Sequence, residues 1–520
     1  MSAKIYCFLM ALASLLGMPA CADQSAEVAS REMGEVPVRA IRAAPAAPVA
    51  GAAALGRTEG AVVHLPWQDA VAYVSPLVPE EASGAQVDAT RFFQPVPIQV
   101  VQGAVPVVLG PDPLCIEAVP RNQTPQVPPA QNPFGAMPAS TKDGTDFSLA
   151  EDLGLGWHRG ATAWWIALQP EEDIPAERFR FERMDAKIAA LPPTMEVVVN
   201  IMLPERRVAP DRWEVAHGRE VYARFLKALV LRYGQRVRHW QFENEPDLGP
   251  AGADLPGFAQ LHVFTAGRIR ALQPEARLLF AGFTGLGGET ILDQQLLAVV
   301  GRLGTGDAQV FDLHTYGAAG GWTRLDGLYA RVRSRLDAAG LEHAAIWMTE
   351  TGTWTGSPSL PGPPGPPNQH APRGQHAPPH LPGRHASLHA PGQLVPPGMP
   401  AMPPLRTLPH QTERDQAREL VKRFVHGFSL GIERIFWAWG IKEGHHDRGQ
   451  LFDMTGLVYD GLGDDDPGDN IPKLGYFAFK RLIRAMLGRQ GGVVRLELGP
   501  GVHAYQFYRE GAPVIIAWKE

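Results

Sequence analysis

The stretch WQFENEP, residues 240–246, runs an apolar segment straight into an amide flanked by two acids. A central strand cannot continue past Pro246, because proline has no backbone N–H to donate to a sheet. A second apolar run, AAIWMTETGTW at 344–354, carries Glu350 near its end in a similar way. Two buried strands that both end on a carboxylate indicate a fold in which strand ends converge on one place.

Strands and amphipathic helices alternate from about residue 130 to residue 488. The segment MEVVVNIML at 195–203 is apolar without alternation except at Glu196 and Asn200, which is typical of a strand covered on both faces. Apolar residues at helical spacing follow most of the strands, and eight strand–helix units occur in order. Eight units with right-handed crossovers predict an α/β fold, a (β/α)8 TIM barrel over residues 130–488.

Short strands without helical periodicity flank this region on both sides. Residues 59–120 contain apolar runs such as AVVHL and VPVVLG, separated by turn residues. Residues 489–520 supply two or three further strands, which are too few to form a sandwich alone. We therefore predict an accessory β-sandwich formed by the N- and C-terminal segments together.

The first residues have the pattern of a secretory signal peptide: Lys4, an apolar run that is too short to span a bilayer, and small residues. We assign residues 1–22 to this signal and residues 23–58, rich in Ala and Pro, to a flexible linker. Cys21 is a candidate for the lipid-bearing cysteine of a bacterial lipoprotein, while residues 20–22 would equally serve ordinary signal peptidase. The protein is therefore expected to be exported, either periplasmic, extracellular or anchored to the membrane by lipid.

Composition argues against several classes of site. A net charge of −6 over 520 residues gives no sign of a nucleic-acid partner. The cysteines Cys7, Cys21 and Cys115 are too few for a disulfide scaffold or a cysteine-based zinc site. The insertion at 356–410 is rich in Pro, Gly and His, so we predict that it is disordered, and its histidines follow no ligand spacing. The acidic turn at 464–469 fits no EF-hand loop, so no metal or cofactor is predicted.

The two glutamates have a joint chemical interpretation. All strands of a barrel end at one face, so Glu245 from the fourth strand and Glu350 from the seventh would face one pocket. Glycoside hydrolysis requires two such carboxyl groups, one to attack the anomeric carbon and one to protonate the leaving oxygen. Each glutamate alone would more often be an ion pair at the barrel rim, so the interpretation depends on the neighbouring residues.

The neighbouring strand ends carry further polar and aromatic side chains. His314 and Tyr316 alternate on the sixth strand, so both are expected to point into the barrel mouth. Trp437 and Trp439 alternate on the eighth strand and are expected to do the same. A tryptophan alone is more often part of the core, but features from several strand ends together favour a site.

These segments resemble the clan A glycoside hydrolases, the retaining barrels with catalytic glutamates on strands four and seven, and most closely family 39. The resemblance covers about residues 130–490 and lies in HWQFENEP, FDLHTYG, WMTETGTW and RIFWAWG, with further matches in DLGLGWHRG and TGLVYDG…PKLGYFAFKRL. It implies a β-xylosidase-like, exo-acting enzyme that hydrolyses an oligo- or polysaccharide and needs no cofactor.

The resemblance also implies roles for single residues. Glu245 would be the acid/base and Glu350 the nucleophile, with Arg159 beneath it. Asn244 would hold the 2-hydroxyl group of the sugar, and Tyr316 would hydrogen-bond the nucleophile. The other implied substrate contacts are His314, Trp437 and Trp439, with Trp437 as the sugar-stacking wall.

The sequence departs from the family pattern in several places. Phe242 and Glu243 replace a tryptophan that often precedes the NEP triplet, and Glu243 is expected to point away from Glu245. The first strand, NPFGAMPAS, lacks the histidine frequent there, and the insertion is foreign to the pattern. Two alternatives stay open: an endo-acting glycanase, and a carbohydrate-binding surface lipoprotein without catalytic activity.

Overall fold

The computed structural model describes most of the predicted barrel and both accessory segments. The described residues are 127–141, 144–164, 179–202, 216–248, 254–285, 289–358, 408–443, 451–460 and 470–520. Five N-terminal strands are described as backbone: β1 (Ala61–Leu65), β2 (Ala72–Pro76), β3 (Val96–Ile98), β4 (Val105–Leu109) and β5 (Leu114–Glu117). The predicted signal peptide and linker, and most of the predicted insertion, lie outside the described residues.

Eight parallel strands pair in chain order, and the last closes on the first to form a barrel. They are β6 (Phe134–Met137), β7 (Trp157–Trp164), β8 (Glu196–Met202), β9 (His239–Phe242), β10 (Arg277–Phe283), β11 (Val310–Tyr316), β12 (Ala345–Gly352) and β13 (Arg434–Ala438). These are the eight strands that the apolar runs predict, so the (β/α)8 barrel is confirmed.

Helices follow the strands and cover the outside of the barrel. Those described are α1 (Ser148–Leu153), α2 (Glu182–Ala190), α3 (Ala216–Tyr233), α4 (Leu255–Arg270), α5 (Glu289–Val300), α6 (Leu325–Ala338), α7 (Glu413–Leu430) and α8 (Leu474–Met486). Side-chain hydrogen bonds fix the N-terminus of α7, where Thr412 and Asp415 form a reciprocal capping box. None of the described helices combines the length and apolar character needed to cross a bilayer.

The barrel strands are buried on both faces, which explains why their sequences are apolar without alternation. Strand β8 is buried along its whole middle section. One set of side chains fills the barrel interior, and a second set packs between strands and helices. The interior set is Trp157, Val198, Leu279, Val310, Trp347 and Phe436.

The accessory β structure draws strands from both ends of the chain, as predicted. The C-terminal strands β14 (Arg489–Leu496), β15 (Val502–Arg509) and β16 (Ala512–Lys519) form an antiparallel meander. Strand β16 pairs antiparallel with β5, so the sheet continues into β2 and β3 and has six strands. Strands β1 and β4 form a separate two-stranded sheet. The limits of the predicted domains stay predictions.

Candidate active site

Glu245 projects from a turn that follows β9. The backbone of Glu243 and that of Glu245 are left-handed, with φ of 60° and 48° respectively. Such angles are uncommon for residues other than glycine and cluster at functional sites. The amide of Leu248 closes the turn by donating to the Glu245 carbonyl oxygen at 2.9 Å. The turn therefore places the Glu245 carboxyl group beyond the end of the strand.

Glu350 lies on β12 with both carboxylate oxygens occupied. The guanidinium of Arg159 donates from Nη1 to Oε1 at 2.6 Å, and the Tyr316 hydroxyl donates to Oε2 at 2.8 Å. The side chains of Arg159 and Glu350 are each only 1% exposed. Charge-assisted hydrogen bonds of this length are strong, so the carboxylate of Glu350 is held in one orientation.

Arg159 connects the nucleophile candidate to the segment that carries Glu245. Its Nη2 donates to Oδ1 of Asn244 and its Nε to Oε1 of Gln241, both at 2.6 Å. Gln241 is on β9 and Asn244 follows it, while Arg159 is on β7. One buried guanidinium on β7 thus fixes side chains from β9, from the turn after β9 and from β12.

His314 lies between the two glutamates. Its Nδ1 is 3.0 Å from Oε1 of Glu245 and 3.6 Å from Oε1 of Glu350. The ring packs directly against the backbone of β10, where a Cβ atom at Gly282 would lie 2.1 Å from Nε2. Only a glycine leaves room for the imidazole at this position.

The site contains groups with shifted pKa values. Burial raises the pKa of Glu245, and the charge of Glu350 adds to this, against the lowering effect of the hydrogen bond with His314. Burial alone would lower the pKa of His314, but the charges of Glu350 and Asp312 outweigh it and raise that pKa to about 10. Burial and the charge of Glu350 also raise the pKa of Tyr316 well above its ordinary value.

The separation of the two carboxyl groups limits the chemistry. A carboxylate oxygen of Glu245, one of Glu350 and a ring nitrogen of His314 all lie within 4.8 Å of one another. That spacing is near the roughly 5–5.5 Å of retaining glycosidases and below the roughly 6.5–9.5 Å of inverting ones. The same three residues could offer ligands to a metal ion. Both Glu350 oxygens already accept hydrogen bonds, however, one of them from a cation, so the set fits a cation poorly.

The structure thus brings together six of the eight residues that the sequence analysis named: Glu245, Glu350, Asn244, Arg159, His314 and Tyr316. It adds Gln241 and Asp312, which the sequence analysis missed. Gln241 Nε2 donates to Oδ2 of Asp312 at 2.6 Å, and the same oxygen lies 3.1 Å from Nε2 of His314. A sequence signal existed, because each is a polar residue within a predicted barrel strand that is buried on both faces.

The prediction that Trp437 faces the barrel mouth is wrong. Trp437 is fully buried in the layer between strands and helices, and its indole N–H donates to the Thr455 carbonyl at 3.0 Å. Its neighbour Phe436 occupies the barrel interior, so strand alternation turns Trp437 outward.

Trp439 lies beyond the end of β13 and is 39% exposed. The peptide bond between Ala438 and Trp439 is cis. Its ring is 5.7 Å from that of Phe452, which is 5.2 Å from the ring of Tyr316. Trp439 and Phe452 therefore continue the aromatic surface outward from Tyr316.

Glu243 is directed away from Glu245, as predicted, although not through strand regularity. Residues two apart on a regular strand share a face, so the two left-handed residues account for the separation. Burial raises the pKa of Tyr222 on α3, and the charge of Glu243 adds to this against the lowering effect of the hydrogen bond with Thr265. The side-chain amide of Asn200 holds the Glu243 carbonyl at 3.1 Å.

No protein-family model matches this chain, and no curated protein matches it. The solved structures similar to it include three bacterial enzymes. A family 39 glycoside hydrolase from Bacteroides cellulosilyticus WH2 is 14% identical, with a TM-score of 0.49 over 88% of this chain and 86% of that chain. A monomeric β-xylosidase from Caulobacter crescentus CB15 is 16% identical, with a TM-score of 0.44 over 74% of this chain and 75% of that chain. A GH39 enzyme from Xanthomonas axonopodis pv. citri is 16% identical, with a TM-score of 0.44 over 73% and 72%.

Two of these structures are described as family 39 glycoside hydrolases, the family that the sequence motifs resemble. With identities under 25% and TM-scores under 0.5, the likenesses carry no argument about function. The function must therefore be argued from the side chains of the site.

The two tryptophans of the eighth strand are expected to respond differently to truncation. Trp437→Ala removes a fully buried ring and should lower the free energy of unfolding by about 3–5 kcal/mol. Trp439→Ala, at a part-exposed position, should lower it by much less. Denaturant unfolding monitored by circular dichroism measures both values, and equal losses would contradict the assignment of Trp437 to the core and of Trp439 to a part-exposed position.

Proposed function

We propose that this protein is a glycoside hydrolase that cleaves β-glycosidic bonds by double displacement, with retention of configuration. The observation that supports this most directly is the close pair of Glu245 and Glu350. The two carboxyl groups have different surroundings: Glu350 accepts hydrogen bonds from Arg159 and Tyr316, whereas burial favours the protonated form of Glu245. Environments that separate two carboxyl groups in this way assign one as the nucleophile and the other as the acid.

In the first step, the carboxylate of Glu350 attacks the anomeric carbon while the bond to the leaving oxygen breaks. Glu245 gives its proton to that oxygen, so the leaving group departs as an alcohol. A covalent glycosyl-enzyme ester forms on Glu350. Arg159 and Tyr316 keep the attacking carboxylate oriented throughout, which reduces the entropic part of the activation barrier.

In the second step, Glu245 acts as a base. It takes a proton from a water molecule that attacks the anomeric carbon, and the bond to Glu350 breaks. Esterification has meanwhile removed the charge of Glu350, which is one of the causes of the raised pKa of Glu245. The pKa of Glu245 is therefore lower in the intermediate than in the free enzyme, as the change from acid to base requires.

We propose an exo-acting, β-xylosidase-like specificity on the strength of the sequence resemblance. Asn244, which Arg159 holds in place, is the proposed partner of the 2-hydroxyl group next to the anomeric carbon. The exposed ring of Trp439, which packs against Phe452, replaces Trp437 as the proposed platform for the apolar face of a sugar.

We also propose that the protein is exported, from the signal-peptide pattern at its N-terminus. Expression in a Gram-negative bacterium with radiolabelled palmitate distinguishes the two forms. Label that is lost in Cys21→Ser would support the lipid anchor, whereas an unlabelled, processed protein in the periplasm would support free secretion. Retention of the unprocessed chain in the cytoplasm would contradict export.

Hydrolysis of a panel of aryl β- and α-glycosides by the purified protein tests the proposed activity. We expect turnover of at least one β-glycoside, with the β-anomer as the first product in NMR spectra. Glu350→Gln should abolish turnover, and Glu342→Gln, at an exposed position just before β12, should leave it unchanged. Absence of turnover by folded protein, or an α-anomer as first product, would refute the proposal.

The role of Glu245 predicts a dependence on the leaving group. Glu245→Gln should slow hydrolysis of a phenyl glycoside by about 10²–10⁴-fold, because a poor leaving group needs the acid. Formation of the glycosyl-enzyme from a dinitrophenyl glycoside should change little, and added azide should restore turnover with a β-glycosyl azide as product. The fall in rate at high pH, which reports Glu245 in its acid form, should disappear in the variant. Equal losses with both leaving groups and no azide product would assign the acid elsewhere.

A further inference from the structure

A chain of hydrogen bonds behind the two glutamates connects Glu350 to His314 through Arg159 and through Gln241 and Asp312, two residues that the proposed mechanism does not use. From Glu350 it passes through Arg159 to Oε1 of Gln241, and from Nε2 of Gln241 to Asp312. From Asp312 it continues to Nε2 of His314. Because His314 Nδ1 faces Glu245 and Glu350, the chain closes into a loop at the two glutamates.

Asp312 is a buried carboxylate with donors on both oxygens. Its Oδ2 accepts from Gln241, and the hydroxyl of Thr349 donates to the same oxygen. Its Oδ1 accepts from the backbone amide of Thr349 at 2.8 Å. A carboxylate with several donors is stabilised in its charged form, even though Asp312 is 0% exposed.

Both ring nitrogens of His314 face carboxyl groups. Nε2 lies 3.1 Å from the Asp312 carboxylate, and Nδ1 lies 3.0 Å from Glu245. A neutral imidazole has a single N–H, whereas the imidazolium has two and can donate on both sides. In the glycosyl-enzyme, where Glu245 is ionised as well as Asp312, only the imidazolium can donate to both carboxylates.

We propose that Asp312 keeps His314 positively charged, so that the imidazolium stabilises whichever of Glu350 and Glu245 carries the negative charge. The inference rests on the proposed double-displacement function. In the free enzyme the charge is on Glu350, and in the glycosyl-enzyme it moves to Glu245. His314 Nδ1 is within 3.6 Å of both carboxyl groups and needs no movement to follow it. Asp312 is thus a positioning residue that acts through His314.

The charged and titratable groups around the imidazole come from several strands. Asp312 precedes it on β11, Glu350 faces it from β12 and Glu245 from the turn after β9. Arg159 on β7 binds the same Glu350 oxygen that His314 Nδ1 faces. Strand β10 presents Gly282, which has no side chain, to the ring, and the hydroxyl of Thr349 on β12 lies 3.2 Å from Nε2. The three acids favour the protonated form of His314, whereas the positive charge of Arg159 opposes it.

Removal of the Asp312 charge should affect the second step more than the first. In Asp312→Asn the glycosyl-enzyme has a neutral Glu350 and no anion behind His314, so the imidazole loses its proton. The pKa of Glu245 then rises, because the nearby positive charge that lowered it is gone. General-base attack by water, which needs ionised Glu245, should consequently require a higher pH.

The first experiment observes the charge of His314 directly. In ¹⁵N-histidine-labelled protein, the His314 signals are identified by their loss in His314→Gln. We expect both ring nitrogens to carry protons at pH 7, and we expect the ring to titrate at lower pH in Asp312→Asn. Thr349→Val removes the hydroxyl donor but keeps the charge pair, and should leave the ring protonated. A neutral His314 in the wild-type protein would overturn the inference whatever the enzyme activity.

The second experiment follows kinetics with the dinitrophenyl glycoside of the best sugar from the panel. In Asp312→Asn, the low-pH limb of kcat should move up by about 1–3 pH units, while kcat/KM should change little. Thr349→Val removes one hydrogen bond to Asp312 but keeps the charge of Asp312, so it should move that limb much less than Asp312→Asn does. An unmoved limb with a titrating His314 would overturn the catalytic role. Lack of wild-type turnover with a protonated His314 would instead refute the proposed function.

Discussion

The buried guanidinium of Arg159 is the interaction on which the rest of the site depends. Strand β7 is adjacent neither to β9 nor to β12 in the barrel, so Arg159 must reach across the mouth to bind Glu350 and Asn244. A buried cation without partners would be costly, and only a closed barrel brings these partners within reach. The hydrogen bonds of Arg159 therefore depend on the closed barrel.

The balance of charge in the buried cluster explains why one proton belongs to Glu245. Glu350 and Asp312 are the anions, and Arg159 and His314 are the cations, so these four groups sum to zero. A second ionised glutamate would add an uncompensated charge in a site of low dielectric. Burial of Glu245 and its proximity to Glu350 act in the same direction. The assignment of the proton to Glu245 thus follows from the charges of the whole cluster rather than from the two glutamates alone.

The sequence predicts the strands and the two glutamates because both signals are local: apolar runs of strand length, ended by carboxylates or proline. It fails at Trp437 because alternation shows which residues share a face but not which face is inside. On a strand buried on both sides, no polar residues mark the difference. Gln241 and Asp312 were missed for another reason. They are 71 residues apart, and neither makes sense as a buried polar group until the other is seen beside it.

The turn after β9 shows how the chain separates two acids that an extended strand would place on one face. Left-handed residues other than glycine cost about 1–3 kcal/mol each when the surroundings hold them there. Here the surroundings are the amide of Asn200 on the Glu243 carbonyl and the closing bond from Leu248 to Glu245. Strand β8 and the turn itself therefore offset the strain that brings the Glu245 carboxyl group to His314. In an extended chain Glu243 would share that side, and its charge would oppose ionisation of both carboxyl groups.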